Sequence, residues 1–522
     1  MLHYKSWKSS AQSDRTIIFL RIIFFALATS FVSCKGILTS SNEDLIAQTL
    51  AENIDSAKVS LNQLLLNNND SFLSSSELKD YYQDNGDFIW VNSPESLEKS
   101  DTLIKYIGKS SEEIGFNKKV FLVDSILSDI SRLNQQITDS SSVVYETMAR
   151  IELNLSRAYL KFISGQYYGF LNPLRLFNKL DKDNNGAYRP LFDISIQLPE
   201  KEFATNALSK ANSDDVLEYI MSLEPQDTIY LALKKELQKD SIKEHRQKLI
   251  LNMERCRWKI KDYPLNEKKY VFVNIPSQNL WAIQPDSVLS MKICCGAFHT
   301  KTPLLISKIN LVQFNPEWGI PMSIIKKEVS EHAGDSAYFA RHRYSIIQND
   351  GDTINPAEIT SAELRSGNYR ISQKSGPGNS LGRIIFRFPN KFDVYLHDTN
   401  NPGAFQNERR TISHGCVRVQ KPFQLTMFVL PDLDEWTIDK IRLSVDIKPE
   451  TDKGKNYLQN FRHKNGAKPL RLINSLRTNP ETPVYIAYYT AFPNPSTHDI
   501  EFWPDRYEYD KQMWQALKPF LP

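Results

Sequence analysis

Through the first half of the chain, apolar residues recur every three or four positions. Between Asn42 and Leu66 they fall at Leu45, Ile46, Leu50, Ile54, Val59, Leu61 and Leu65; between Val143 and Ile163, at Met148, Ile151, Leu155, Tyr159 and Phe162. That spacing puts each set on one side of a helix. A charged amphipathic stretch from Ser213 to Ile260, broken near Pro225, continues the pattern. Near Tyr263 the texture changes. Runs at Tyr270–Pro276, Leu280–Ile283, Met291–Cys295, Arg383–Phe388 and Phe392–Asp398, separated by turn residues, predict strands. Residues 314–380 are richer in Gly, Pro and Asn and predict a long insertion or lid. Strand-like pieces follow at Ile441–Ile447 and Val484–Thr490. Between them Lys453–Arg471 reads as a solvated basic loop, with a hold on anionic glycan or lipid as the alternative.

Composition narrows the function. The 522 residues are 41% hydrophobic and 24% charged, ordinary for a globular chain of two to four domains. Lys plus Arg is 64 and Asp plus Glu 61, a formal charge of +3, which argues against a dedicated nucleic-acid binder. The five cysteines, at 34, 256, 294, 295 and 416, include no CxxC pair, so neither a disulfide framework nor a zinc ribbon is expected. Cys294 and Cys295 are strand neighbours facing opposite ways, and the histidines lack metal-ligand spacing. No metal or cofactor is called for.

The first segment reads as an address. Lys5, Lys8 and Arg15 precede an apolar run whose uninterrupted part, Ile22–Ser33, is too short to span a bilayer. It ends Phe31-Val32-Ser33-Cys34, similar to a lipobox in which the Cys is lipidated. Phe31 departs from the usual Leu, which leaves a released form or an uncleaved anchor as alternatives.

The chemistry concentrates in one window. On a strand, Phe392, Val394 and Leu396 would face the core, and Asp393, Tyr395 and His397 the other side. A polar loop leads from there to Ser413-His414-Gly415-Cys416-Val417-Arg418. A nucleophilic Cys needs a base or a positive neighbour, access, and oxyanion donors that a Gly beside it lets approach closely. His397 and Cys416 can meet these needs. The alternative serine acyltransferase pattern, Ser-x-x-Lys at Ser76, Ser96 and Ser323, lacks its usual partner: Lys301-Thr302-Pro303 carries Pro where Gly is expected.

The strand ending in His397, fifteen residues, and then SHGC resemble the L,D-transpeptidase catalytic domain, called YkuD-like. Further segments resemble the large, multidomain YcbB-like branch. These are Leu251–Trp258, Tyr270–Pro276, Lys301-Thr302-Pro303, Phe314–Trp318, Gly376–Gly382, Tyr395–Thr399 and Val484–Ala491. Carried over, the resemblance implies Cys416 as nucleophile and His397 as its base. It implies Ser413, His414 and Gly415 shaping the oxyanion site, and Trp318, Asn379, Tyr395 and Arg418 lining the substrate pocket. Arg418 stands where many members have Asn, and it suits a carboxylate of the peptide stem. Two departures stand out: the signature of a peptidoglycan-binding module is missing from 195–250, and Cys256 replaces an aromatic.

The implied function is a peptidoglycan L,D-transpeptidase. Cys416 attacks residue three of a tetrapeptide stem, terminal D-Ala leaves, and the diaminopimelate amine of a second stem takes the acyl group to give a 3→3 cross-link. Acylation by carbapenems is implied too. An L,D-carboxypeptidase or wall-protein-detaching hydrolase at the same site, or a non-enzymatic wall-binding lipoprotein, remain as alternatives. The expected layout is α+β. It comprises a lipoprotein-type signal at 1–34, a helical scaffold at 35–262, a β-rich catalytic domain at 263–430 with its lid at about 314–380, and a C-terminal segment at 431–522 packing back on them. The expected location is periplasm-facing and membrane-anchored in a Gram-negative envelope.

Overall fold

The structure is a computed structural model that describes residues 40–66, 75–84, 87–138, 143–182 and 186–522. The signal segment and Cys34 lie outside the described residues. The chain divides into two compact units, each described by itself.

The first unit is helical. It takes in Ser40–Leu66, Ser75–Asp84, most of Pro94–Glu113, Val123–Thr138, most of Val144–Tyr168, and Lys201–Ala211. In Val123–Thr138, Val123, Ile126, Ile130, Leu133 and Ile137 are buried, alternate steps of three and four that make one apolar stripe. Each such side chain contributes roughly 1.5–3 kcal/mol by leaving water. Charged groups are buried with them, Asp129 and, most deeply, Glu152. The Glu152 carboxylate accepts from the Tyr82 hydroxyl (2.7 Å), Ile89 N (2.6 Å) and Trp90 N (2.9 Å), so it ties a strand-free segment to the helix face. Burial pushes its carboxyl up to about 7, against those bonds.

The second unit is built on a sheet that closes on itself. Its strands are β1 (Phe192–Asp193), β2 (Tyr270–Asn274), β3 (Asn279–Gln284), β4 (Ser287–Gly296) and β5 (Leu304–Phe314). After the lid strands β6 (Trp318–Gly319), β7 (Tyr344–Gln348), β8 (Thr353–Ile354) and β9 (Tyr369–Gln373) come β10 (Ile384–Arg387), β11 (Leu396–His397), β12 (Thr411–Ser413), β13 (Val417–Val419) and β14 (Ser475–Ala487). The path runs β10-β11-β13-β4-β3-β2-β14-β5, and β5 pairs back with β10; β1 pairs with β5, and β12 with β4. Strand β14, from beyond residue 430, is central: it lies parallel to β2 and antiparallel to β5.

The 314–380 insertion has its own sheet, in the order β6-β9-β7-β8. Its own apolar core includes Ile325, Val329, Phe339, Ile346, Leu364 and Ile371. The helix Lys243–Arg257 buries Asn252, Glu254, Arg255 and Arg257. Each polar group finds a partner: Glu254 accepts from Leu171 N (2.7 Å), Arg255 pairs with Asp510 (2.6 Å), and Asn252 donates to Thr490 (2.9 Å). That pairing gives the Leu251–Trp258 motif a physical reason.

Three local expectations change. Ile441–Ile447 is not a strand but ends the helix Glu435–Ser444, which Asp434 caps by accepting from Thr437 N (3.0 Å). Lys453–Arg471 is mostly the helix Asp452–Asn465, capped by Thr451 through Gly454 N (3.0 Å). It buries only Gly454, so it leaves little apolar period to read. In Phe392–Asp398 only Leu396 and His397 pair as strand. Asp393 takes a left-handed φ of 52°, in a turn that Asn390 Oδ1 holds by accepting from Phe392 N (3.0 Å) and Val394 N (3.1 Å).

Candidate active site

Strand β12 runs parallel to β4, and β13 runs antiparallel to it. The chain must therefore reverse between Ser413 and Val417. Gly415 provides the reversal at φ 129°, where a side chain would strain the backbone. The turn is clamped from both sides. The Ser413 carbonyl accepts from Ala297 N (2.9 Å) and the Thr300 hydroxyl (2.8 Å), and the Thr302 hydroxyl donates to the Gly415 carbonyl (2.7 Å). Tyr507 holds the clamp in turn, donating to the Gly296 carbonyl (2.7 Å) and accepting from Thr302 N (3.2 Å). Inside the turn the Ser413 hydroxyl donates to the Cys416 carbonyl (2.6 Å). Cys416 is thus presented at a fixed point, one residue before β13.

Strand β13 lies parallel to β11, with Val417 beside Leu396 and Arg418 beside His397. Val417 N donates to the Tyr395 carbonyl (3.1 Å), which carries the register back to Cys416 beside Tyr395. Neighbours in a parallel pair share a face, so Tyr395, His397, Cys416 and Arg418 stand together. The Tyr395 and His397 rings meet edge to face at 5.8 Å. All four line one cavity of about 740 Å³, whose other wall is the lid, with Trp318, Glu328, Tyr338 and Arg341 among its residues.

The Cys416 sulfur lies 3.7 Å from the Asp393 carbonyl oxygen. Burial pushes its thiol up to about 11; the Tyr395 backbone and hydroxyl and the Arg418 charge pull it down, and Asp393 pushes it further up. Burial, then the Arg418 charge, pulls the His397 imidazole down to about 4, against backbone groups of Asp398 and Leu381. At neutral pH the resting pair is therefore a thiol and a neutral imidazole. Among the described residues, His397 Nδ1 and Arg418 Nε are buried without a hydrogen-bond partner, an arrangement that costs free energy unless something else satisfies it.

The other sequence candidates fall in different places. Trp318 lines the cavity from β6. Ser413 and His414 line it too, but Gly415 does not. The His414 imidazole turns to the lid, with Nε2 2.6 Å from Glu328 Oε1. Asn379 does not reach the cavity. It is fully buried, donating to the carbonyls of Pro316 (3.3 Å), Gln373 (3.3 Å) and Lys374 (3.1 Å) and accepting from Leu381 N (2.8 Å). Its amide is consumed in fixing the turn that returns from the lid to β10. Asp398 accepts from Arg383 N (2.8 Å) and braces the same turn. Sequence reasoning missed Glu328, Arg341 and Tyr507. No local pattern marks an isolated charge in an insertion, or a Tyr nearly a hundred residues from the turn it holds.

Comparison with known families agrees with this geometry. A model described as the L,D-transpeptidase catalytic domain, YkuD, matches residues 268–486, and one described as the Scaffold domain matches 76–237. A Haemophilus influenzae protein named "Putative L,D-transpeptidase" is 29% identical over 398 residues, 74% of each chain. With its helical scaffold region and its closed sheet carrying the SHGC turn, the chain combines a YkuD L,D-transpeptidase catalytic domain with a Scaffold domain.

Proposed function

We propose that this L,D-transpeptidase forms 3→3 cross-links in peptidoglycan through a Cys416 thioester. The observation that supports it best is the shared face of Cys416, His397 and Arg418 on the cavity floor, with His397 Nδ1 and Arg418 Nε both unpartnered among the described residues. A neutral His397 is the form that can accept a proton, so the thiol gives up its proton as sulfur attacks the carbonyl of residue three. The C–N bond to D-Ala breaks, and D-Ala leaves as the amine with that proton. The energy of the donor peptide bond is kept in the thioester until the amine of a second stem forms the new amide. Arg418 offers two-pronged pairing to a stem carboxylate. The Tyr395 hydroxyl, already within bonding reach of the sulfur, donates toward charge that develops there.

A tetrapeptide donor or a carbapenem should add mass to Cys416 and to no other cysteine. An unchanged mass, or an adduct that survives in Cys416→Ala, would overturn the reading. Release of tripeptide with no transfer would keep the nucleophile but make the enzyme a carboxypeptidase. The site would face the periplasm from a membrane anchor on Cys34; loss of fatty-acid labelling in Cys34→Ser would support the anchor, and persistent labelling would refute it.

A further inference from the structure

Transfer needs a second proton acceptor. The incoming amine is an ammonium ion at neutral pH and cannot attack until it loses a proton. By then His397 has handled the first proton, and it is buried beside the Arg418 cation, a poor place to receive a positively charged group.

The lid supplies an alternative. Glu328 sits where the helix Met322–Lys327 gives way to the short helical turn Val329–His332, and its Oε1 lies 2.6 Å from His414 Nε2. Both side chains are about half exposed, at 48% and 52%, and both line the cavity that holds Cys416. A carboxylate can only accept, so His414 Nε2 carries a hydrogen, and in the neutral ring Nδ1 is the acceptor. Among the described residues Nδ1 has no hydrogen-bond partner. Across the same wall stands Arg341, which has no ion-pair partner among the described residues; Tyr338 lies within electrostatic reach of both Arg341 and Glu328. A carboxylate and a cation on the lid, with an imidazole reaching them from the SHGC turn, fit a primary amine with a carboxylate beside it.

We propose that Glu328 and His414 form the acceptor site, holding the incoming ammonium and taking its proton, with Arg341 meeting the adjacent carboxylate. The inference rests on the thioester reading above and names the place of its second substrate. In the step, the ammonium gives one proton to His414 Nδ1 and its nitrogen attacks the thioester carbonyl. The C–N bond forms and the C–S bond breaks. The sulfur leaves as thiolate and takes the second amine proton, while His414 passes the first to solvent.

The test uses the full chain with a tetrapeptide donor and increasing concentrations of a diamino-acid acceptor. It reads acyl-enzyme formation by protein mass, and the ratio of transfer product to hydrolysis product. In Glu328→Gln and His414→Gln the transfer-to-hydrolysis ratio should fall about 10²-fold, the usual scale of a lost general base. Glu328→Asp should recover part of it, and Arg341→Ala should raise the acceptor concentration needed for half-maximal transfer. Glu331→Gln, an exposed carboxylate of the same lid turn that does not line the cavity, is the control and should leave the ratio unchanged. An unchanged ratio in both Glu328→Gln and His414→Gln, or an equal fall in Glu331→Gln, would overturn the proposal. Absence of any Cys416 adduct in the unmodified protein would instead overturn the thioester reading beneath it. Thermal melts of each variant should match the parent, since both side chains are half exposed; a variant that melts early is replaced by His414→Asn, held to the same ratio.

Discussion

The resting charge state of Cys416 can be measured directly. Burial raises its thiol to about 11, and burial with Arg418 lowers His397 to about 4, so the pair should not exist as thiolate and imidazolium before substrate arrives. An ordinary cysteine near pKa 8.5 is roughly 10% thiolate at pH 7.5, whereas a group near 11 is about 0.03%, some 300-fold less. A more basic thiolate is the better nucleophile, which returns about 13-fold of that deficit over 2.5 pKa units. Alkylation of Cys416 by iodoacetamide should therefore run about 20- to 30-fold slower than that of free cysteine at pH 7.5. It should rise about tenfold per pH unit up to pH 10 without levelling. Intact-protein mass gives the rate, and peptide mapping separates Cys416 from the fully buried Cys294 and Cys295. A plateau below pH 8 would refute the reasoning, because it would mean a preformed thiolate–imidazolium pair. The same logic sets the acid limb of the first step: acyl-enzyme formation should fall only as the pH drops through about 4, where His397 takes up its proton.

Arg418→Ala should raise the KM for a tetrapeptide donor about 10- to 100-fold, the scale of a lost charge-assisted pair, with kcat changed far less. Kinetics in which neither parameter moves would sink that role. Asn379→Ala should act on stability instead, costing about 2–4 kcal/mol by urea denaturation, because it strands three carbonyls and one buried N–H. A variant as stable as the parent but with a raised KM would return Asn379 to the substrate pocket. In the helical unit, burial raises Glu152 to about 7. An acid raised on folding stabilises fully below its unfolded value near 4.5 and loses that contribution as pH climbs through 7, about 3 kcal/mol in all. The urea midpoint of Glu152→Gln should thus lack that component of the pH 5 to 8 slope; an unchanged slope would assign it to another group.

Legibility in the sequence tracked burial. Tyr270–Asn274 and the Val484–Ala487 end of Ser475–Ala487 were readable as strands because their buried residues form compact apolar runs, whereas Ser475–Pro483 is largely exposed and was not read. The helix Asp452–Asn465 was not, because it is mostly exposed and owes its start to the Thr451 cap rather than to an apolar face. Phe392–Asp398 alternates like a strand, yet Asn390 folds its first half into a turn and only the end pairs. The SHGC turn and its His are short-range features, which is why Cys416 and His397 stood out in the sequence and meet in the fold. Asn379 was misplaced because an Asn among glycines reads equally well as a ligand contact or as a brace for the backbone. Glu328 was invisible because its partner lies 86 positions away.

The central claim is acyl transfer through Cys416, and the product reports on it most directly. The protein and its Cys416→Ala variant would each be incubated with disaccharide-tetrapeptide, and the products sequenced by tandem mass spectrometry. The expected product is a dimer lacking one D-Ala and joined between third residues, formed only when Cys416 is present. A dimer of the same mass from Cys416→Ala, or a linkage through residue four, would contradict it.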